Sequence, residues 1–224
     1  MVTLKDLQEY CNGKKIIIVG NSSRLLDGPN RQLIDNYDIV VRINRGYMGN
    51  NQYYNDLIGH KTHIVSIGVQ SATGAGLIIQ DNNQVNFILS PITSSEDLKY
   101  LNSYKVEKET YQELKKELAG FKPSTGIATY NFFNRFINFE RLDLIGFDFF
   151  ASSSKQRNQL GHTFVEDHNG IKEMRFFENS KDPDKTKLHN HLGSPGPALR
   201  TINNVPVISK SNTNKYTLKK LNRR

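Results

Sequence analysis

The chain repeats a simple alternation of short β-branched runs, polar loops and helix-forming segments. Lys15–Val19 reads KIIIV and ends at Gly20, and Asp38–Ile43 reads DIVVRI. Runs this short and this apolar are typical of strands that are buried on both faces, as in a parallel sheet. The sequence predicts further strands at His63–Ile67, Val85–Leu89 and Arg141–Gly146.

Helix-forming segments lie between the predicted strands. Arg31–Ile34 has apolar residues at helical spacing, and Glu107–Ala119 is rich in Glu, Lys and Leu, which favour helices. Ser124 is a good N-cap for a helix that continues to about Phe139. A further helix is predicted near Ser95–Leu101. Because strands alternate with helices, we expect an α/β sandwich with a mainly parallel central sheet flanked by helices, and ligands at the carboxyl ends of its strands.

Size and charge predict one continuous domain, residues 1–208, followed by a basic C-terminal tail, residues 209–224. The 224 residues include 30 Lys and Arg against 22 Asp and Glu, which gives a formal net charge of +8. The stretch from Lys210 to Arg224 is basic and contains no acidic residue. Such a tail is either a solvated terminus or an arm that binds a polyanion such as nucleic acid.

Some protein classes are excluded by what the sequence lacks. No apolar stretch approaches the roughly 20 residues of a membrane-spanning helix, and the N-terminal segment lacks the apolar region of a secretory signal. The single cysteine, Cys11, rules out an intrachain disulfide and a thiolate zinc site. We therefore expect a cytoplasmic protein without a transmembrane segment.

Small polar residues follow the first predicted strand and open the predicted helix at Ser124. Gly20 lets a ligand approach the backbone, and the side chains that follow it can hold phosphate or sugar oxygens, although an ordinary turn explains the same residues. Free amides and hydroxyls at a helix start can bind phosphate without a metal. Neither segment is a G-x-G-x-x-G or Walker motif. The candidate residues are Gly20, Asn21 and Ser22 in the first segment and Ser124, Thr125 and Gly126 in the second.

Two arginines, Arg42 and Arg45, lie at the end of the second predicted strand on either side of Asn44. Their guanidinium groups either neutralise a phosphate or form salt bridges with a neighbouring acid such as Asp35 or Asp38. The sequence leaves both interpretations open.

Four of the six histidines fall downstream of both candidate phosphate segments, and three of these four are candidate site residues. His162, His189 and His191 lie in polar surroundings, where a neutral imidazole can act as a general base or bind phosphate. His60 and His63 flank the third predicted strand and fit a structural role.

The order of these motifs resembles that of the animal-type sialyltransferases, glycosyltransferase family 29. The matching stretches are V-G-N-S-S, then I-D-x-x-D-x-V-x-R-x-N ending at Asn44, then P-S-T-G ending at Gly126, then a late histidine pair. The resemblance implies a Rossmann-like sandwich, a variant of the GT-A glycosyltransferase fold. It also implies a CMP-activated sugar as donor substrate and no metal or other cofactor.

The resemblance also implies roles for individual residues. Asn21 and Asn44 would lie near the donor phosphate and ribose, and Ser124–Gly126 would hold the nucleotide. His162 would contact phosphate, and His191 would be the base that deprotonates the acceptor hydroxyl in an inverting transfer.

The chain departs from the family pattern in several places. The family's base is followed five residues later by a glutamate, whereas His191 is followed at that distance by Gly196, so His189 remains an alternative. The family's cysteine pair, signal anchor and stem are absent. These departures indicate an intracellular relative whose sugar is not fixed by the sequence.

Net charge and the basic tail favour a polyanionic acceptor. Our preferred acceptor is the hydroxyl of a hydroxymethylated base in DNA, as in bacteriophage genome protection, and the alternative is a bacterial surface glycan or lipopolysaccharide. A metal-dependent transfer through Asp182 and Asp184, and a metal site at Glu166–His168, are weaker alternatives. A non-enzymatic nucleic-acid-binding module is a further one, but it leaves the two phosphate segments without a role.

Overall fold

The computed structural model of the chain describes residues 2–22, 25, 29–44, 57–68, 85–92, 102–150, 168–189, 200–202 and 205–207. Two compact units divide the chain, residues 1–194 and residues 195–224. In the second unit the described residues form one antiparallel hairpin, Arg200–Ile202 with Val205–Val207. The sequence-based boundary after residue 208 stays a prediction.

The first unit contains a seven-stranded sheet in which every described pairing is parallel. Its strands are β1 (Lys15–Val19), β2 (Ile39–Ile43), β3 (Ile64–Ser66), β4 (Phe87–Ser90), β5 (Ser103–Lys105), β6 (Arg141–Ile145) and β7 (Thr186–His189). The described helices are α1 (Leu4–Cys11), α2 (Arg31–Asp35), α3 (Lys108–Glu117), α4 (Thr125–Phe136) and α5 (Gly170–Ser180).

The strand order is β5-β4-β3-β2-β1-β6-β7. From β1 the chain moves outward through β2 to β5, and it then returns to the other side of β1 to form β6. The order therefore reverses between β1 and β6. In open parallel sheets, ligands bind at the carboxyl ends of the strands beside such a reversal.

Helices cover both faces of the sheet because its strands are apolar on both faces. Ile16 and Ile18 of β1 belong to the larger core cluster, which also holds side chains from α1, α3, α4 and α5. The alternate residues Ile17 and Val19 belong to a second cluster, which contains Ile34 of α2. The expected α/β sandwich with a parallel central sheet is confirmed.

The predicted strands agree with β1, β2, β3, β4 and β6 to within two residues at each end, and Ser124 caps α4 as expected. The predicted helix at Ser95–Leu101 lies outside the described residues. The sequence analysis did not predict α1, α5 or the edge strands β5 and β7. In the part of the chain that the structure describes, no helix has both the length and the apolar character needed to cross a membrane.

Candidate active site

The chain segments that follow β1 and β6 lie in direct contact at the reversal of strand order. Val19 pairs with Ile145, the Gly20 amide donates to the Ile145 carbonyl at 2.7 Å, and the Ser22 amide donates to the Gly146 carbonyl at 3.1 Å. A Cβ atom on Gly20 would lie 2.3 Å from the Gly146 oxygen. The space that a side chain at position 20 would occupy is therefore filled by the protein's own backbone, and the predicted ligand contact of Gly20 stays a prediction.

We predict that Gly20→Ala lowers the free energy of unfolding by about 2–3 kcal/mol, because the added methyl meets backbone atoms that cannot rotate away. Urea denaturation measures the change. Gly13→Ala is the control: Gly13 has a positive φ of 67° but no atom within 4 Å of an added Cβ. It therefore reports conformational strain alone, about 1 kcal/mol. Equal losses in the two variants would contradict the steric explanation.

The ring of Phe147 joins the two predicted phosphate segments. A Cβ on Gly20 would lie 3.0 Å from Phe147 Cδ2, and a Cβ on Gly126 would lie 2.6 Å from Phe147 Cε1. The ring therefore packs against both glycines, one after β1 and the other in the first turn of α4. The two segments that the sequence analysis placed in one site do meet in the structure.

Asn44 and Thr125 extend this site towards the ends of β2 and β3. Asn44 has a left-handed backbone, with φ of 51°, and its Oδ1 accepts a hydrogen bond from the Gly68 amide at 2.7 Å. Its Nδ2 lies 3.5 Å from Thr125 Oγ1. A Cβ on Gly68 would lie 2.6 Å from the same hydroxyl. These contacts hold Asn44 beside the start of α4.

Asn21 and Ser22 differ in what they offer a ligand. Asn21 Nδ2 donates to the Ile43 carbonyl at 3.0 Å, and its buried Oδ1 has no hydrogen-bond partner among the described residues. The Ser22 hydroxyl donates to Asp148 Oδ2 at 2.9 Å, and Ser22 is buried. An unpaired buried acceptor costs free energy unless a donor reaches it. Asn21 therefore presents an acceptor for a ligand donor, whereas the Ser22 proton is directed to Asp148.

A buried carboxylate binds the residue that caps α4. The Ser124 amide donates to Glu173 Oε1 and the Ser124 hydroxyl donates to Oε2, each at 2.7 Å. The same hydroxyl accepts from the Ile127 amide at 3.2 Å. Burial raises the pKa of Glu173 to about 7, although the hydrogen bonds from Ser124 act in the opposite direction. These hydrogen bonds hold the Glu173 side chain of α5 against Ser124, the N-cap residue of α4.

His168 lies two residues before α5 begins at Gly170, and it contacts the segment that precedes α4. Its Nδ1 is 2.7 Å from the Lys122 carbonyl. Because a carbonyl only accepts, this contact assigns the proton of the neutral ring to Nδ1 and the lone pair to Nε2. The ring stacks on Phe150, with 5.5 Å between centroids and 7° between planes. The neutral imidazole is therefore held by two contacts, with Nε2 as its basic nitrogen.

His189 has different surroundings, at the end of β7. Its Nε2 lies 2.6 Å from Oδ2 of the fully buried Asp143, and the Tyr37 hydroxyl binds the same oxygen and lies 3.1 Å from Nε2. Burial acts to raise the pKa of Asp143, but hydrogen bonds from His189, Tyr37 and Arg141 outweigh it and lower the pKa. His189 therefore uses Nε2 to bind a buried carboxylate.

Arg42 is also turned inward. It is 1% exposed. Its Nε donates to the Lys61 carbonyl and the Thr62 hydroxyl, and its Nη2 donates to the carbonyls of Ile58 and Gly59, each at 3.0 Å. The guanidinium group holds the 58–62 loop through these hydrogen bonds. The sequence predicted either a phosphate contact or a salt bridge, and neither prediction included this interaction.

Comparison with known proteins assigns the chain to a family. The sequence model of glycosyltransferase family 29 (sialyltransferase) matches residues 6–161. The chain belongs to glycosyltransferase family 29. It is a nucleotide-sugar glycosyltransferase of the sialyltransferase type, which uses a CMP-sugar. The alternative of a non-enzymatic nucleic-acid-binding module is therefore set aside.

Solved structures agree with the fold of this family 29 protein. A mammalian sialyltransferase in complex with Gal-beta-1-3GalNAc-ortho-nitrophenol has a TM-score of 0.53 and 18% identity, over 80% of this chain and 69% of that chain. A second mammalian sialyltransferase structure has a TM-score of 0.53 and 17% identity, over 79% of this chain and 69% of that chain. At these identities the likeness shows the fold. A search of curated protein sequences gives no match.

The family pattern also fits His168, which the sequence-based interpretation included only in the weaker alternative of a metal site at Glu166–His168. Glu173 follows His168 at five residues, which is the spacing described above for the family's base and glutamate. The family match ends at residue 161 and does not itself cover this pair. The spacing is visible in the sequence, although the prediction of a base used it only for His191.

Several predicted site residues cannot be located. Arg45, His162 and His191 lie outside the described residues, so their predicted roles stay predictions. In the alternative metal motif, the Asp184 amide donates to Asp182 Oδ1 at 3.0 Å within an exposed turn. Across the described ranges, no cluster of three or more His, Cys, Asp or Glu side chains has the arrangement of a metal site.

Proposed function

We propose that this family 29 protein catalyses an inverting transfer from a CMP-sugar to a glycan hydroxyl, with His168 as the general base and without a metal ion. The observation that carries this proposal is the joint docking of His168 and Glu173 on residues 122–124, at the helix start next to the strand reversal. This arrangement supports a general base next to the helix start that we propose to bind the donor phosphate.

The donor half of the proposal depends on the groups around Thr125 and Gly126. Since Glu173 takes the Ser124 amide, the next amides of α4 are the helix-start donors that a phosphate would use. The unpaired Asn21 Oδ1 requires a donor, which a ribose hydroxyl of CMP supplies and a phosphate oxygen does not. Asn44, beside Thr125, completes a site for a nucleoside monophosphate.

The acceptor half depends on His168. Nε2 would take the acceptor proton while the acceptor oxygen attacks the anomeric carbon from the face opposite to CMP. The bond from this carbon to the CMP phosphate breaks in the same step, so the anomeric configuration inverts. General base catalysis of this kind is worth about 10²–10⁴-fold in rate. The amides of α4 would stabilise the charge that develops on the departing phosphate.

We favour a glycan over DNA as acceptor because a structurally similar mammalian enzyme is solved with a disaccharide compound. The DNA hypothesis depends on net charge, and most strongly on the basic tail, residues 209–224, which lie outside the described residues. A hydroxymethylated base in DNA remains the second candidate because the chain carries a net charge of +8.

The test is a transfer assay with separate donors and acceptors. The purified chain is incubated with CMP-, UDP- or GDP-sugars and with a galactose-terminated glycan, hydroxymethylcytosine duplex DNA or no acceptor, in the presence and absence of excess EDTA. We expect CMP release and a mass increase of the glycan, unchanged by EDTA, with inversion seen by NMR. A mass increase of the DNA alone would establish the second candidate. Release of UMP, UDP or GDP instead, or loss of activity in EDTA, would overturn the donor or metal assignment.

A further inference from the structure

Phe149 and Phe150 adopt a backbone conformation that bulky residues rarely take. Their φ angles are 50° and 68°, both in the left-handed region. Such a conformation costs about 1–3 kcal/mol per residue and persists only where the surroundings enforce it. The turn lies directly against the start of α5, since a Cβ on Gly170 would lie 1.9 Å from the Phe149 carbonyl oxygen. The strained turn and the start of α5 are therefore fitted to each other.

The two phenyl rings of this turn face different partners. Phe149 packs against the larger core cluster and lies 6.2 Å from the Phe177 ring. Phe150 is not among the described side chains that pack on that cluster. Its ring lies flat against the His168 imidazole instead. In this turn Phe149 therefore packs on the core, whereas the next residue, Phe150, contacts the proposed base His168.

We propose that Phe150 is a positioning residue for His168, an inference that rests on the proposed role of His168 as general base. The hydrogen bond to the Lys122 carbonyl fixes one point of the imidazole and leaves rotation about the Nδ1···O line. The Phe150 stack fixes the plane of the ring. Together they set the direction of the Nε2 lone pair, which lies in that plane. A reacting group held in the correct direction needs no reorientation before the proton moves.

The test variant is Phe150→Leu, which keeps an apolar side chain and removes the flat ring. We expect kcat to fall about 10- to 100-fold, with the KM for the CMP-sugar unchanged. In NMR spectra the His168 ring protons should lose the upfield shift that stacking on a phenyl ring produces. Phe150→Tyr keeps the ring and should restore both kcat and the shift. Phe121→Leu, which changes an exposed phenyl group one residue before Lys122, should change neither.

The outcomes separate this inference from the proposed function. If Phe150→Leu keeps full kcat while His168→Ala loses it, Phe150 does not position the base and the proposed function stands. If His168→Ala keeps full kcat, the base assignment fails, and the inference about Phe150 fails with it. If Phe150→Leu lowers the melting temperature and raises the donor KM together with the loss of kcat, its role is structural and the inference is overturned.

Discussion

Replacing His168 with alanine should lower kcat by about 10²–10⁴-fold, the usual contribution of a general base. The dissociation constant for CMP should change little, because the contacts assigned to the nucleotide lie at Asn21, Asn44 and the first turn of α4. Alanine removes the nitrogen that accepts the proton but leaves the Glu173–Ser124 hydrogen bonds in place. Steady-state kinetics and calorimetric titration with CMP measure the two quantities.

The matched comparisons are His162→Ala, His191→Ala and His189→Gln, assayed in the same way. If His191→Ala abolishes turnover and His168→Ala does not, the base is the residue predicted from the sequence. His189→Gln is expected to act mainly on stability, since His189 binds the buried Asp143.

The central strands were predictable because burial on both faces leaves an unmistakable local pattern. Every residue of β2 is buried, and all but Arg42 are apolar, as is typical of a strand covered on both faces. The edge strands β5 and β7 carry exposed and half-exposed residues. They pair on one side only, so their sequences, SYK and TKLH, lack the apolar run. They form strands because the neighbouring strands β4 and β6 supply hydrogen-bond partners, and not because of their own composition.

The site was predictable in its positions but not in its contacts. Small polar residues at the end of β1 and the start of α4 indicated where a nucleotide would bind, since ligands commonly bind at the carboxyl ends of parallel strands and phosphates at helix N-termini. Their meeting through Phe147 depends on the strand order. The Glu173–Ser124 hydrogen bonds join residues 49 positions apart, and no local pattern reports such a distance.

Glu173 should make the stability of the protein depend on pH. Its pKa is about 7 in the folded chain, against an ordinary value of 4.5. Between these values the folded chain keeps the proton and the unfolded chain releases it, so stability falls as pH rises from about 4.5 to about 7 and then levels off. The corresponding loss is about 3 kcal/mol. Urea denaturation at intervals from pH 5 to pH 8 measures it.

Glu173→Gln is the decisive variant because glutamine keeps an acceptor for the Ser124 amide but does not ionise. Relative to wild type it should gain stability as pH rises to 7, and Glu109→Gln, at an exposed position in α3, corrects for the general loss of a carboxylate. An ionised Glu173 also brings negative charge to the helix start proposed to hold the donor phosphate. The CMP affinity of wild type should therefore decline above pH 7 more than that of the variant. Parallel stability curves from pH 5 to pH 8 would mean that the Ser124 donors keep Glu173 ionised throughout, against the effect of burial.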